Sequence, residues 1–251
     1  MNIVSLAKVV PDYEISANEF EIENNRAHKR YNRMIGLYDE SALELAIQLK
    51  EKYEGDIKVI SYCNAKDVPV LRKAIAMGCD DLIAICGEEE DPEVIASNLV
   101  MAIEKIGKVD IILAGRQSSD LDRGIIPGYL AGKLNIPFIP NIIKVEKKEN
   151  KFMVTQVSEK GTNVLIVKRP VVLSITDDIS IKPRIPKVKG ILMAKKKSVE
   201  ILEEKRKKGL SIKEIKVEIP KNEYFCEILP LENVDETASL LWKKLKEEKY
   251  I

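Results

Sequence analysis

The residues best suited to chemistry crowd into one stretch: Gly115, Arg116, Gln117, Ser118, Ser119 and Asp120, followed by Asp122, Arg123 and Gly124. Guanidinium groups, an amide and hydroxyls side by side suit the binding of a phosphate better than the breaking of a bond. Two carboxylate pairs, Asp120 with Asp122 and Asp177 with Asp178, have the look of acid–base machinery. The chain's only histidine is His28, and no metal-ligand spacing accompanies either pair. No protein side chain is therefore expected to do covalent chemistry.

The elements around this stretch say how it is held. Ile111, Ile112, Leu113 and Ala114 form a continuous apolar run that stops at Gly115, as a buried parallel strand does at a tight turn. Ile126, Tyr129, Leu130 and Leu134 then recur at helical spacing. Strand, polar loop and helix in this order place the loop where open α/β sheets bind ligands. The helix N-terminus there offers free N–H groups to a phosphate. The same spacing fits an ordinary β-to-α turn, and no complete phosphate-loop or dinucleotide fingerprint decides between the two.

At 251 residues with 41 basic and 40 acidic side chains, the chain supports one large domain, or one domain plus an appendage. The balanced charge gives no reason to expect nucleic acid or an anionic membrane as partner. Cys63, Cys79, Cys86 and Cys226 lack paired metal-ligand spacing, so zinc is not expected. No leader pattern and no spanning apolar run are seen, and a reduced, cytoplasmic protein is expected.

Earlier in the chain, apolar runs alternate with helical patterns. Ile3 to Val10 reads as a strand, Ser16 to Met34 as polar with a small hairpin near Phe20 and Ile22, and Leu43 to Leu49 as a helix after Asp39 and Glu40. Strands are expected at Ile57 to Ile60 and Leu82 to Cys86. Helices are expected from Val68 to Gly78 and from Asp91–Pro92 to Ile103. This alternation implies an α/β fold, a mainly parallel sheet with helices on both faces.

After Pro137 the period changes. Ile142 to Val145, Phe152 to Val157, Val164 to Val167 and Val171 to Ile175 read as strands closing the sheet in an antiparallel meander. Beyond Thr176 the Pro-spaced, basic composition is poor core material. A boundary is drawn there: residues 1–178 as the α/β domain, 179–251 as a docking arm ending in an amphipathic helix. Ile191, Leu192 and Met193, bordered by Lys195 and Lys196, read as a contact patch. The helix from Asn233 to Tyr250 fits packing on its own domain or on a partner, and its Trp242 is read as buried.

Five segments occur together and in order: Ala7-Lys8-Val9-Val10-Pro11-Asp12, Tyr38-Asp39-Glu40-Ser41-Ala42-Leu43-Glu44, Arg72-Lys73-Ala74-Ile75-Ala76-Met77-Gly78-Cys79-Asp80, Ala114-Gly115-Arg116-Gln117 and Met193-Ala194-Lys195-Lys196-Lys197. In these the chain resembles the small (beta) subunit of electron-transfer flavoproteins, the FixA type, from Ile3 to about Val199. The resemblance implies a fold like that of adenine-nucleotide alpha-hydrolases and universal stress proteins, and a heterodimer with a larger alpha subunit that holds the electron-carrying FAD. It implies that the small subunit binds AMP as a structural nucleotide, or a second FAD in electron-bifurcating members. FAD is the preferred expectation here, with NADH as its reductant.

Carried over residue by residue, the adenine and ribose lie against Leu6, Ala7, Lys8, Tyr38, Asp39, Tyr62, Cys63 and Asn64. The phosphates meet Gly115, Arg116, Gln117 and the loop from Ser119 to Gly128, which includes Asp120, Asp122, Gly124 and Pro127. Ile191, Leu192 and Met193 would dock a flavin-dependent dehydrogenase. Where the family commonly has Asp-Gly-Asp-Thr-Gly-Gln-Val-Gly-Pro, this chain has Asp120-Leu121-Asp122-Arg123-Gly124-Ile125-Ile126-Pro127-Gly128. Arg123 is accordingly expected to pair with a phosphate. An alternative with the same fold is a stand-alone nucleotide sensor resembling universal stress proteins, which needs no second subunit. An adenylate-forming or pyrophosphatase enzyme is disfavoured, because Lys8-Val9-Val10-Pro11-Asp12 stands where its phosphate loop would be.

Overall fold

The computed structural model describes residues 1–12, 14, 16, 22–23, 26–27, 32–88, 91–205, 226–229 and 233–250. Its parallel strands arise where apolar runs are continuous. β1 (Asn2–Leu6), β6 (Asp56–Cys63), β7 (Asp81–Cys86), β8 (Ile111–Gly115) and β12 (Val171–Ile175) are buried along most of their length. Helices cover both faces, so such strands carry few polar residues. With β9 (Phe138–Lys148), β10 (Lys151–Ser158), β11 (Gly161–Lys168) and β13 (Glu200–Glu203) they form a nine-stranded sheet in the order β11-β10-β9-β12-β8-β1-β6-β7-β13. β9, β10 and β11 pair antiparallel and the remaining pairs are parallel. The fold is α/β, as expected.

Helix α1 (Leu37–Tyr53) joins β1 to β6, and α2 (Val68–Met77) joins β6 to β7. Helix α3 (Pro92–Ile106) carries the chain back to β8, and α4 (Ile126–Leu134) follows β8. One apolar layer includes Leu43, Ile47 and Leu71 from α1 and α2; the other includes Leu99 and Ile103 from α3 and Leu130 from α4. Right-handed crossovers put the outgoing helices on one face and the returning ones on the other. The reversal falls between β1 and β8, which lie side by side in the register Ile3↔Ile111 to Ser5↔Leu113.

Four local expectations are corrected. The strand read from Ile3 to Val10 breaks at Ala7 and Lys8. β1 ends at Leu6, and β2 (Val9–Pro11) leaves to pair with β5 (Arg33–Ile35), because the Lys8 N–H turns to a side chain instead of the ladder. β12 is not the last strand of a meander: it inserts parallel between β8 and β9, where its unbroken apolar run is buried on both faces. The segment past Thr176 is not merely an arm. It forms α5 (Val188–Lys196), with Ala194 buried, and Arg72 of α2 donates to the carbonyls of Ala194 and Lys197, the latter at 2.7 Å. A side chain at Gly190 would strike the Ala76 carbonyl, so this helix lies directly on α2. Trp242 is 57% exposed rather than buried.

The hairpin expected near Ile22 is present as β3 (Ile22–Glu23) and β4 (Arg26–Ala27). Phe20 and His28 lie outside the described residues. Beyond Asp178, where the sequence reading drew its boundary, the chain goes on adding to the same compact unit, which spans Met1–Ile215. Arg184 pairs with Glu44 and Glu51 of α1 at 2.8 and 2.6 Å, and β13 extends the sheet beside β7. A second unit, Lys216–Ile251, contains α6 (Val234–Glu247), capped by the Asn233 side chain, which accepts the N–H groups of Asp235 and Glu236. Its Lys246 ammonium lies 5.1 Å from the Trp242 ring centre.

Candidate functional site

At the reversal point the carboxyl ends of β1 and β8 meet the start of α1. Asp39, in the first turn of α1, is buried and accepts two backbone donors: the N–H of Lys8 at 2.8 Å and that of Gly115 at 2.9 Å. Gly36, just before the helix, donates its N–H to the Lys8 carbonyl at 3.0 Å. One carboxylate thus closes the crevice floor between two strands. Burial pushes the Asp39 carboxyl up to about 6, although the two amides and the Lys8 charge pull the other way.

Gly115 has no alternative at this place. A Cβ there would sit 2.6 Å from Asp39 Oδ1, 2.8 Å from its backbone nitrogen and 2.9 Å from the carbonyl carbon of Tyr38. Leu6 and Ala7 are buried beside it, and the Ala7 N–H donates to Ile60 at 3.1 Å.

The loop after Gly115 is folded on itself. Lys8 Nζ reaches both oxygens of Asp120 at 2.7 Å and donates to Ser118 Oγ at 3.4 Å. Against the penalty of burial, the Lys8 ammonium holds the Asp120 carboxyl below its ordinary range. The Gln117 amide donates to Asp122 at 3.0 Å, Arg116 Nε donates to Gln117 Oε1 at 3.2 Å, and the Asp122 N–H donates to the Ser118 carbonyl at 2.9 Å. Gly124 has φ +62°, and a Cβ there would lie 2.9 Å from the Arg116 carbonyl, so a glycine is needed for the return.

Arg116 stacks its guanidinium 5.0 Å from the Tyr38 ring centre, joining this loop to the head of α1. Ser119, Arg123 and Ile125 are exposed. Ile126, Pro127 and Gly128 make the first turn of α4, which carries no acidic residue and no side-chain cap. The backbone donors there suit an anion.

Tyr62, Cys63 and Asn64 occupy the neighbouring end of β6. Tyr62 donates to Glu204, and Asn64 donates to Glu88 at 2.9 Å. A side chain on Gly87 would run into both Tyr62 and Glu204.

The structure therefore brings Leu6, Ala7, Lys8, Tyr38, Asp39, Gly115, Arg116, Gln117 and Asp120 to one crevice, with Tyr62, Cys63 and Asn64 one strand over. Two participants were not among the nucleotide contacts that the resemblance implies. Ser118 lies in the chemistry-bearing stretch, but the carried-over loop begins at Ser119. Glu204 had no local signal, since it follows the four-residue segment Glu200-Ile201-Leu202-Glu203, which becomes β13 by pairing with β7. Ile191, Leu192 and Met193 are exposed on α5, with Lys195 and Lys196 beside them. Among the described residues no group of three or more His, Cys, Asp or Glu could hold a metal, and no helix is long and apolar enough to cross a membrane.

Comparison with known proteins identifies the family. A family profile described as the electron transfer flavoprotein domain matches residues 27–207. The electron transfer flavoprotein subunit beta of Thermoanaerobacterium thermosaccharolyticum is 35% identical over 209 residues, covering 80% of this chain and 78% of that protein. The subunit beta of Syntrophomonas wolfei is 33% identical over 201 residues, 79% of each. That of Clostridium acetobutylicum is 30% identical over 264 aligned positions, which span the whole of both chains. With a profile match over most of its length and relatives at 30–35% identity that cover about four fifths of the chain or more, the chain belongs to the electron transfer flavoprotein family as a beta subunit, a protein of electron transfer.

Proposed function

We propose that this beta subunit pairs with a larger alpha subunit and holds an adenine nucleotide, FAD, in the crevice between β1 and β8. The observation that carries the reading is the convergence of the Lys8 and Gly115 strand ends at the reversal point, beside a loop bearing Arg116 and Arg123 and the acid-free start of α4. The donor set fits such a group. Asp120 is neutralised by Lys8, so the arginines and the α4 amides are the loop's contribution to a phosphate. The buried apolar ends at Leu6 and Ala7, with Tyr38 nearby, suit an adenine.

A flavin held there would supply the redox chemistry, two-electron hydride exchange with NADH and onward electron transfer. The chain's own residues bind and orient it. Asp39 fixes the two strand ends, and Arg116 is held by the Tyr38 ring. Ile191, Leu192 and Met193 offer a dehydrogenase partner an apolar patch rimmed by lysines. The four thiols suit a reducing cytoplasm.

The same contacts serve the AMP portion of FAD and free AMP alike, so the test is a count. The chain is co-expressed with an electron transfer flavoprotein alpha subunit from the same organism, and the complex is purified and denatured for nucleotide analysis. Two FAD and no AMP per heterodimer are expected. One FAD and one AMP would assign this subunit a bracing and docking role. A complex with no nucleotide on this chain, or a stable homodimer that ignores the large subunit, would overturn the proposal.

A further inference from the structure

Cys63 and Cys86 end β6 and β7 and are register partners across that parallel pair. Register partners project to the same face of a sheet, and both cysteines pack in the apolar layer under α1 and α2. Adjacent strands lie about 4.8 Å apart, inside the roughly 4.4–6.8 Å that a disulfide spans between α-carbons. The strand ends are already fastened on the far side of the pair. The Gly87 N–H donates to the Cys63 carbonyl at 3.1 Å, and the Asn64 amide reaches Glu88 at 2.9 Å. Both sulfurs are free thiols, Cys63 buried and Cys86 partly open to solvent.

We propose that Cys63 and Cys86 form a redox-sensitive pair that closes to an intrachain disulfide under hydrogen peroxide, Cys86 reacting first and Cys63 resolving. The Cys86 thiol loses its proton, its thiolate attacks one peroxide oxygen and the O–O bond breaks, giving a sulfenic acid and a hydroxide that takes up the released proton as the first water. The Cys63 thiolate then attacks that sulfur. The S–S bond forms, the S–O bond breaks, and the departing hydroxide takes a proton as the second water. Two thiols are oxidised by two electrons in all, and one peroxide is reduced to two waters.

Burial pushes the Cys63 thiol up to about 11 and the Cys86 thiol above its ordinary value, so closure is slow and answers sustained oxidant. Cys79 lies before the opposite end of β7 and does not compete. Closure would tie the end of β6, where Tyr62 and Asn64 flank Cys63, covalently to the end of β7. The pairing itself follows from the register and stands whichever nucleotide the crevice holds.

The test uses the full chain with the exposed Cys226 replaced by Ser, which leaves three thiols. After treatment with hydrogen peroxide at about pH 8, free thiols are alkylated and peptides mapped by mass spectrometry. Loss of two thiols, a linked Cys63–Cys86 peptide and full reversal by dithiothreitol are expected. In a Cys63→Ala background, Cys86 should instead run on to the sulfinic acid, having lost its resolving partner. Should that variant fail to fold, Cys86→Ser at the open strand end gives the complementary readout, with Cys63 left reduced. Three intact thiols, Cys86 sulfinic acid with Cys63 still reduced in the Cys226→Ser protein, or a link involving Cys79 would each overturn the pairing.

Discussion

Asp39 Oδ1 lies 2.9 Å from the backbone nitrogen of Gly115, and the second carboxylate oxygen lies 2.8 Å from that of Lys8. A single side chain therefore satisfies two amides from different strands that the sheet ladder leaves over. An amide cannot replace it, because its NH2 would face one of the two N–H groups. Asp39→Asn is expected to cost about 1–3 kcal/mol at neutral pH, the penalty of one buried unpaired donor. Urea unfolding of the two proteins checks this; equal midpoints would show that the bridge is dispensable.

The same carboxyl makes stability depend on pH. Its value is 3.8 unfolded and about 6 folded, so the folded state takes up the proton first. Stability from this group is greatest when it is protonated and falls as pH rises from about 4 to 6, then levels. Glu44 and Asp120 act oppositely: both are held low, and their contribution disappears only as pH falls below the ordinary carboxylate range. Between about pH 4.5 and 6.5 the wild type should lose roughly 2 kcal/mol relative to Asp39→Asn. Parallel unfolding curves at those two pH values read that difference directly.

Gly115→Ala places a methyl group against the backbone of Tyr38 and Asp39, which has no room to retreat. A loss of about 3 kcal/mol is expected, the upper end for overpacking. By contrast Gly132→Ala, where an added Cβ meets nothing within 4 Å, should stabilise α4 by about 0.5–1 kcal/mol. Thermal melts of the two variants should therefore move in opposite directions.

Arg123 is exposed on the loop after β8. If it pairs with a phosphate, Arg123→Ala should weaken AMP binding about tenfold, the worth of a charge-assisted bond, with stability within about 0.5 kcal/mol of wild type. Isothermal titration with AMP on the nucleotide-stripped protein decides it; an unchanged affinity removes Arg123 from the site.

Arg72 holds the C-terminal turn of α5 through the carbonyls of Ala194 and Lys197. Arg72→Ala should speed amide hydrogen exchange across residues 188–197 by about tenfold while leaving β6 and β7 protected. Mass-resolved exchange on the intact chain distinguishes this local release from general loosening.

Much of the scaffold was readable in the chain because parallel strands buried on both faces must be apolar without interruption. Ile111 to Ala114 and Leu82 to Cys86 could hardly be anything else, and Asp91–Pro92 and Gly78 punctuate their helices by capping chemistry. Position within the sheet was less readable. Val171 to Ile175 looks the same whether it ends a meander or sits beside β8, since that choice depends on residues far away. Asp39 reads locally as an acid favoured by the helix dipole, and only the meeting of β1 and β8 turns it into a bridge. Glu204 was invisible for a related reason: Glu200-Ile201-Leu202-Glu203 offers only two apolar residues between charges, and its strand forms by pairing with the β7 edge far away in sequence.

The insertion of β12 between β8 and β9 carries a consequence for biosynthesis. The Arg116 N–H donates to the Ile175 carbonyl at 2.9 Å, so the root of the loop after β8 is secured by a strand translated well after it. A nascent chain that has emerged only as far as the β9–β11 hairpins carries β8 as an open apolar edge, poised for premature pairing with a neighbour. Protection of that edge on the ribosome, by delay or by a chaperone, is therefore tied to the arrival of residue 171. The root of the loop after β8 is thus among the later parts of the molecule to become native.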